Sequence, residues 1–328
     1  MAATAHTMIS NRLRQASARA IRPFARSGVY RSIDVSGLRA ALRRIGLLSW
    51  FLAIDLLFQF LDSHLLLTDS RLYQQATNVW LAGGDPWALN VDGIYYAAAP
   101  WSLLTYLPTA WLPLEVASWS WALLGLGAAV WTLRRLDLPL WWLAFPPLAE
   151  ALWNGNAQPV VLAALLIRPL WGVTLAAVLK LYGMVPALFA RRWREVAIAA
   201  AVLGVTLPFL PWGMWIDHRL GFDAATNLTW NGSAWRFPPL VPIAAVALLV
   251  LRHRGGEWLS IPALWPGTQF FYHVFALPTL RDKRWLAALL ALPMPLLAPC
   301  AVIAYAVLAK RKPTGSAAGA DPRIQTSS

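Results

Sequence analysis

Apolar residues occur in long runs that are separated by short polar stretches along most of the chain. A helix that crosses a bilayer needs about 20 mainly apolar residues, and shorter helices are tolerated inside a bundle. Ten runs fit this description, so the pattern predicts an all-α, polytopic bundle of about ten transmembrane helices. The runs are 45–61, 95–113, 115–133, 139–153, 155–168, 172–190, 196–216, 237–251, 258–279 and 285–309.

Basic residues orient this bundle. Nine arginines precede the first apolar run and are opposed only by Asp34. Because basic residues collect on the cytoplasmic side of a span, the N-terminus is predicted to be cytoplasmic. Ten crossings return the C-terminus to the same side, where Lys310, Arg311 and Lys312 fit the rule. The nine arginines are Arg12, Arg14, Arg19, Arg22, Arg26, Arg31, Arg39, Arg43 and Arg44.

Three parts follow from this pattern. Residues 1–44 form a basic cytoplasmic arm, residues 45–309 the membrane domain, and residues 310–328 a disordered cytoplasmic tail rich in small and polar residues. The first apolar run begins too late for a signal peptide, which indicates an uncleaved anchor, although an organelle transit peptide has a similar composition.

The same count places two polar stretches, 62–94 and 217–236, on the extracytoplasmic side of the membrane. It also places Arg134, Arg135 and the basic cluster 281–284 outside, against the usual charge bias. Either one segment is re-entrant and the count is wrong, or these cations serve an anionic ligand.

Composition agrees with a multi-pass protein of a cell membrane, most simply a bacterial plasma membrane. Hydrophobic residues make up 58% of the chain and charged residues 13%, with a mean hydropathy of +0.51, whereas soluble domains carry about 25% charged residues. Several of the 20 tryptophans lie at the ends of apolar runs, where the ring suits the headgroup layer, although plain core positions are an alternative.

Neither the net charge of +13 nor the single cysteine indicates a different class of protein. The excess charge abuts a membrane span and lacks the interleaved aromatics of a nucleic-acid groove, so no nucleic-acid partner is predicted. Cys300 lies in an apolar run, which predicts a small buried residue and no disulfide.

The first outer loop carries four carboxylates: Asp62, Asp69, Asp85 and Asp92. Residues 69–82 have helical spacing, and Asp69 stands where a first-turn or N-capping acid would stand. Asp85 precedes a proline, which favours a turn role. A structural role and a chemical role are both compatible with Asp69.

The order of motifs along residues 45–280 resembles glycosyltransferase family 87, the polyprenyl-phosphate-mannose-dependent mannosyltransferases of the GT-C fold. The first-loop signature is Asp69, Tyr73, Ala76, Gly83-Gly84-Asp85-Pro86-Trp87, Tyr96, Pro100 and Pro108. Further matches are Asn154-Gly155-Asn156-Ala157-Gln158, Lys180 with Pro186, Arg191-Arg192-Trp193-Arg194, Asn231-Gly232-Ser233 and Gln269-Phe270-Phe271-Tyr272-His273. The chain departs from the family at Tyr96-Ala97-Ala98-Ala99-Pro100, where the family has Tyr-Pro-Pro, in two extra residues of the Asn-Gly turn, and in its short length.

The resemblance implies an inverting transfer of a hexose, mannose in the family, from a polyprenyl-phosphate donor to a lipid or glycan acceptor outside the membrane. It implies that Asp69 is the catalytic acid-base residue, which as a general base takes the proton of the attacking hydroxyl. The positions expected to bind substrate are Arg71, Tyr73, Asp85, Tyr96, Asn154, Gln158, Lys180, Arg236 and His273.

The departing phosphate needs cations rather than a proton. Side chains on the predicted outer side could supply them, although lipid-headgroup contacts explain the same residues, and His273 could be a core histidine. These side chains are Arg71, Arg236, His273, Arg281, Lys283 and Arg284.

Lys180 lies within an apolar run, where a charge costs about 2.5 to 3.5 kcal/mol, so it is expected to have a partner or to face a cavity. Asp55 and Glu150 are possible partners. No His or Asp spacing resembles a dedicated zinc or calcium site, so no cofactor is predicted, with a carboxylate-bound magnesium as the alternative.

Two other functions compete with the transferase. A transporter or flippase would explain the proline-rich spans and Lys180, but predicts repeated half-helices that the sequence lacks. A non-catalytic assembly protein of the cell envelope is the third possibility.

Overall fold

The computed structural model describes residues 35–62, 66–91, 94–167, 170–218 and 231–311. Its contacts divide the chain after Gly46, and the unit described below begins at Leu47. Most of the predicted N-terminal arm, nearly all of the predicted tail, Asp92 and much of the second outer loop lie outside the described residues.

The described chain is mainly helical, which confirms the all-α prediction. The helices are α1 (Val35–Asp62), α2 (Thr68–Leu81), α3 (Ser102–Tyr106), α4 (Leu114–Arg135), α5 (Pro146–Trp153), α6 (Gln158–Leu166), α7 (Trp171–Leu179), α8 (Val185–Phe189), α9 (Trp193–Val205), α10 (Trp212–Asp217), α11 (Leu240–Val250), α12 (Gly256–Leu264), α13 (Leu277–Leu280), α14 (Arg284–Leu290) and α15 (Leu297–Arg311).

Short elements connect these helices. An antiparallel ladder joins β1 (Asn90–Val91) to β2 (Ile94–Tyr95). The 3₁₀ turns are Pro86–Ala88, Leu107–Thr109, Leu140–Ala144, Leu181–Met184, Ala234–Arg236, Arg252–Arg254 and Phe270–Ala276.

Most of the predicted apolar runs are divided rather than continuous. The run 172–190 breaks at Lys180, whose backbone is extended, and the run 258–279 breaks at Trp265, before Pro266 and Gly267. Proline removes a helical hydrogen bond and clashes with the preceding turn, and hydropathy along a run does not register this effect. Each of these two runs therefore forms several short helical segments rather than one long helix.

One described helix, α4, is long and apolar enough to cross a membrane by length and composition. Shorter apolar helices of at least ten residues are found among the described residues at Leu240–Val250, Phe270–Leu280 and Leu297–Lys310.

The run 95–113 does not form one long helix. It forms the five-residue helix α3 and a 3₁₀ turn, and α3 packs against α2. Immediately after it, Glu115 in the first turn of α4 forms an ion pair with Arg71 of α2, with 2.9 Å between Oε2 and Nη2. The start of α4 therefore lies beside α2.

The other end of α4 lies beside Arg281, one of the later basic residues. Arg281 Nη1 is 3.2 Å from Asp137 Oδ2, just after the end of α4. Arg254 donates to the carbonyl oxygen of Ala309 near the end of α15, and Tyr305 of the same helix donates to the Arg254 carbonyl oxygen. Contacts between residues distant in sequence thus tie α15 to the 3₁₀ turn Arg252–Arg254.

Two groups of buried side chains hold these elements. In the larger group, the Phe51 ring of α1 packs edge-on against Trp142, 5.6 Å between ring centroids, and lies 5.3 Å from Phe145. A smaller group fixes α2 to the residues that follow it, through Leu72, Tyr73, Ala76, Trp87, Tyr96, Leu103 and Tyr106.

Large apolar side chains also cover parts of the surface. On α4, Leu123 is 65% exposed, and on α11, Val246 and Leu249 are each 60% exposed. Contiguous exposed apolar surface marks a membrane or protein interface.

Cys300 is exposed as well, so the prediction of a buried cysteine is wrong, because its position on α15 faces outward.

Candidate active site

The N-terminal end of α2 is fixed to the turn that follows α5. Leu67 donates to the Trp153 carbonyl oxygen at 2.8 Å, and Asp69 donates from its backbone to the Asn154 carbonyl oxygen at 3.0 Å. Leu67 holds the N-cap position with a left-handed φ of 58° and provides no side-chain cap. The first turn of α2 is therefore held by a neighbouring segment, and Asp69 lies within that turn, as its second residue, rather than at the N-cap.

The Asp69 carboxylate instead faces a cavity. Asn156 donates its side-chain N–H to Asp69 Oδ2, and both residues line a cavity of about 240 Å³. Burial raises the pKa of the Asp69 carboxyl, whereas the positive charge of Lys180 and the Asn156 hydrogen bond lower it. A carboxylate with these neighbours can accept a proton from a hydroxyl in the cavity.

Lys180 enters the same cavity at the break between α7 and the following 3₁₀ turn. Its ammonium group contacts the hydroxyl of Tyr73 on α2, 107 residues away in the chain. Neither Asp55 nor Glu150, the predicted partners, lines the cavity. Lys180 is the one basic side chain, and Asp69 the one acidic side chain, that line the cavity within the described ranges.

Aromatic rings form much of the remaining wall. Tyr182 lies two residues after Lys180, and its ring centroid is 4.9 Å from that of Tyr272 and 5.6 Å from that of Trp265. Trp215 of α10 lines the cavity as well. An amphipathic ring offers an apolar face and a polar edge, which suits a ligand such as a sugar that has both kinds of surface.

Three of the predicted site residues come together in the cavity: Asp69, Tyr73 and Lys180. Tyr96 lies behind them, buried, with its ring centroid 5.1 Å from that of Tyr73 and its hydroxyl 2.5 Å from Ser102 Oγ. It supports the position of Tyr73 without lining the cavity.

The remaining predicted residues lie elsewhere. Arg71 pairs with Glu115. Asp85 accepts from the backbone N–H of Trp87, the turn role that its place before a proline predicts, and its second oxygen is 2.7 Å from His218 Nε2. Arg236 is exposed at the end of a 3₁₀ turn.

Asn154, Gln158 and His273 are buried outside the cavity lining. The Gln158 amide has no hydrogen-bond partner in the part of the chain that the structure describes. His273 Nδ1 lies 2.9 Å from the Leu290 carbonyl oxygen, which agrees with the alternative of a core histidine.

The other predicted phosphate ligands are also remote from the cavity. Arg281 pairs with Asp137, Lys283 donates to the Thr279 carbonyl oxygen, and Arg284 begins α14. None of the three lines the cavity.

Sequence reasoning did not single out Asn156, Tyr182, Tyr272 and Trp265 as site residues. Asn156 was signalled only as part of an asparagine-rich turn, and Tyr272 only as part of an aromatic run. No group of three or more His, Cys, Asp or Glu side chains that could hold a metal ion is found within the described residues.

The chain matches no protein-family model, no curated protein and no solved structure.

Proposed function

We propose that this chain is a polytopic membrane glycosyltransferase of the GT-C type, similar to family 87. It moves a hexose from a polyprenyl-phosphate donor to a lipid or glycan acceptor on the extracytoplasmic face, with inversion at the anomeric carbon. The observation that supports this best is the pair of Asp69 and Lys180, one carboxylate and one ammonium group in a single aromatic-lined cavity.

Each of these groups has a part in the proposed reaction. The acceptor hydroxyl attacks the anomeric carbon and gives its proton to Asp69, while the bond from that carbon to the phosphate oxygen breaks. The phosphate departs with the bonding electrons and needs no proton, since it is a stable anion. Lys180 and the Tyr73 hydroxyl stabilise the charge that develops on it.

The number of cations in the cavity supports a donor with one phosphate. A polyprenyl-phosphate sugar is a phosphodiester with one negative charge, so its phosphate needs fewer cationic partners than a diphosphate does. A nucleotide diphosphate sugar carries two charges and is normally held by several cations or a metal ion. Among the described lining residues, Lys180 is the only cation.

The ends of α4 support a membrane orientation. Arg71 and Glu115 join α2 to the start of α4, while Arg134, Arg135 and Asp137 lie at its end, where Arg281 joins them. If α2 is extracytoplasmic, 95–113 is a re-entrant segment. Arg134, Arg135 and, through its pairing with Asp137, Arg281 then lie on the cytoplasmic side.

Short helices are compatible with this placement. Broken helices at membrane depth are tolerated where they are packed in protein or line a cavity. The breaks at Lys180 and Trp265 both lie at the cavity wall, and the exposed apolar side chains of α4 and α11 provide a surface for lipid.

The test is sugar transfer from a radiolabelled polyprenyl-phosphate hexose in membranes that carry the protein. Wild type should form a labelled lipid or glycan, and Asp69→Asn should lose about 10² to 10⁴ in rate. Asp137→Asn, an exposed carboxylate outside the cavity, is the matched control and should retain activity. Absence of transfer by wild type across several lipid-linked hexoses would refute the proposal, and movement of the intact donor across the bilayer would favour a flippase.

A further inference from the structure

The turn Asn154–Gly155–Asn156 does more than end α5. The Asn154 carbonyl oxygen accepts a hydrogen bond from the Asp69 N–H, and the Asn156 side chain donates to the Asp69 carboxylate. The turn therefore contacts Asp69 through both its backbone and its side chain. Asn156 and Asp69 are 87 residues apart in the chain. Two contacts to one residue fix both the position of its backbone and the rotation of its side chain.

Gly155 permits this close approach. Its φ is +65°, in the left-handed region, and a Cβ there would lie 2.6 Å from Ser70 Oγ and 3.0 Å from Ser70 Cβ. A glycine is therefore needed for the turn to reach the first turn of α2. Ser70 is fully buried and donates to the Leu67 carbonyl oxygen, which leaves it little room to move.

We propose that Asn156 is the positioning residue for Asp69: it holds Oδ2 and thereby turns Oδ1 toward the acceptor hydroxyl. This inference rests on the proposed function, in which Asp69 is the base. An ionised carboxylate only accepts hydrogen bonds, so the Asn156 amide must present its N–H to it.

An amide suits this role better than a charged donor. A lysine or arginine at position 156 would pair with the carboxylate and weaken it as a base, since a nearby cation stabilises the ionised form. A neutral donor orients the carboxylate with a smaller effect on its basicity. The cavity also keeps the single cation, Lys180, available for the phosphate.

Other ionisable groups also act on Asp69. The charged neighbour is Lys180, at the end of α7, which contacts Tyr73 on α2. Tyr106 of α3, Tyr182 and Tyr272 also interact electrostatically with Asp69. None of these groups lies on the turn that carries Asn156, so a change at position 156 leaves them in place.

The experiment compares wild type, Asn156→Ala and Asn156→Asp, with Asn78→Ala as control, an exposed position on α2. The first measurement is the modification of Asp69 by a hydrophobic carbodiimide as a function of pH, followed by peptide mass spectrometry. This reagent modifies protonated carboxyl groups and requires no sugar donor. The second is the pH profile of transfer, separated into kcat and KM.

Loss of the hydrogen bond from Asn156 should raise the pKa of Asp69. The midpoint of its modification by the carbodiimide should therefore move to higher pH in Asn156→Ala. It should move further in Asn156→Asp, because two carboxylates within hydrogen-bond distance share one proton. In the transfer assay, kcat of Asn156→Ala should fall about ten- to a hundredfold, with little change in the KM for the sugar donor. The pH below which transfer is lost should be higher than in wild type. Asn78→Ala should match wild type in both measurements.

Equal midpoints in all four proteins would overturn the positioning role. Asn156→Asp keeps the size of the side chain, so it provides this test even if Asn156→Ala does not fold. A displaced midpoint in a protein whose wild type transfers no sugar would support the contact of Asn156 with Asp69 and would overturn the proposed function alone.

Discussion

Arg71 lies two residues after Asp69, yet its guanidinium group points away from the cavity and pairs with Glu115, 44 residues further along the chain. This contact holds the Arg71 guanidinium outside the lining of the cavity. It also places the first turn of α4 on the same side of the protein as the first turn of α2.

The first prediction concerns this orientation. In a Cys300→Ala background, cysteines are placed at two exposed positions, Ala82 after α2 and Asp282 before α14. An impermeant maleimide added to intact cells should label Ala82→Cys, and should label Asp282→Cys only after lysis. Labelling of both in intact cells would restore the ten-crossing count, in which 95–113 crosses the membrane. Replacing Cys300 is necessary because it is exposed.

The second prediction concerns the phosphate. Lys180→Met should lower kcat about 10²- to 10³-fold, as expected for the loss of a group that stabilises charge in the transition state. Lys180→Arg should retain part of the rate, because it keeps the charge. The measurement is initial rate against donor concentration at matched expression.

Arg281→Ala is the matched control for Lys180, since Arg281 pairs with Asp137 and does not line the cavity. Its kcat and donor KM should equal those of wild type. Equal losses in Lys180→Met and Arg281→Ala would indicate a general effect of cations and would remove Lys180 from the reaction.

The third prediction concerns pH. Asp69 acts as a base only when ionised, so transfer should be present above its pKa and should be lost as the pH falls through it. Burial raises this pKa, so the acid limb should lie above the ordinary range of an aspartate. Lys180 lowers the pKa, and Lys180→Met should therefore move the limb to still higher pH.

The measurement for this prediction is kcat/KM from low to neutral pH, with thermal unfolding recorded at each value. If activity is lost at the pH at which the protein unfolds, Asp69 is not assigned as the base. The same conclusion follows if Lys180→Met and wild type lose activity at the same pH.

The fourth prediction concerns the turn that holds Asp69. Gly155→Ala should destabilise the fold by about 1 kcal/mol or more, because alanine is strained at a positive φ and its Cβ meets Ser70. Thermal unfolding in detergent measures this. Gly127→Ala, within α4 and with open space around the added Cβ, should be neutral or stabilising by about 0.5 to 1 kcal/mol. Equal melting temperatures for the two variants would contradict the close approach.

Part of the architecture could be predicted from the sequence, for physical reasons. Apolar runs of this length exceed ordinary strands and favour helices, so the all-α class follows from the pattern. The lengths of the helices do not, because hydropathy sums over a run and does not register where Pro266 or the extended backbone at Lys180 ends a helix. The side of the membrane on which each later basic cluster lies stays a prediction, since it depends on whether 95–113 crosses.

The candidate site could likewise be predicted only in part. A mid-run lysine predicts a cavity or a partner, and the cavity is present, but the partner is the Tyr73 hydroxyl rather than Asp55 or Glu150. Long-range pairs such as Arg281 with Asp137, 144 residues apart, leave no local pattern. The surplus arginines therefore suggested phosphate ligands that the fold places elsewhere.

The assembly of the cavity wall from distant segments has a consequence for biogenesis. Asp69 is synthesised early, Asn156 and Lys180 follow, and Trp265 and Tyr272 come last, so the wall cannot close until the ribosome has passed Tyr272. Until then the nascent chain holds an acid and a lysine that lack their final neighbours. Proteins in this state depend on chaperones and are vulnerable to proteolysis. Truncations that end between Lys180 and Trp265 are therefore expected to be degraded rather than to accumulate as partly active fragments.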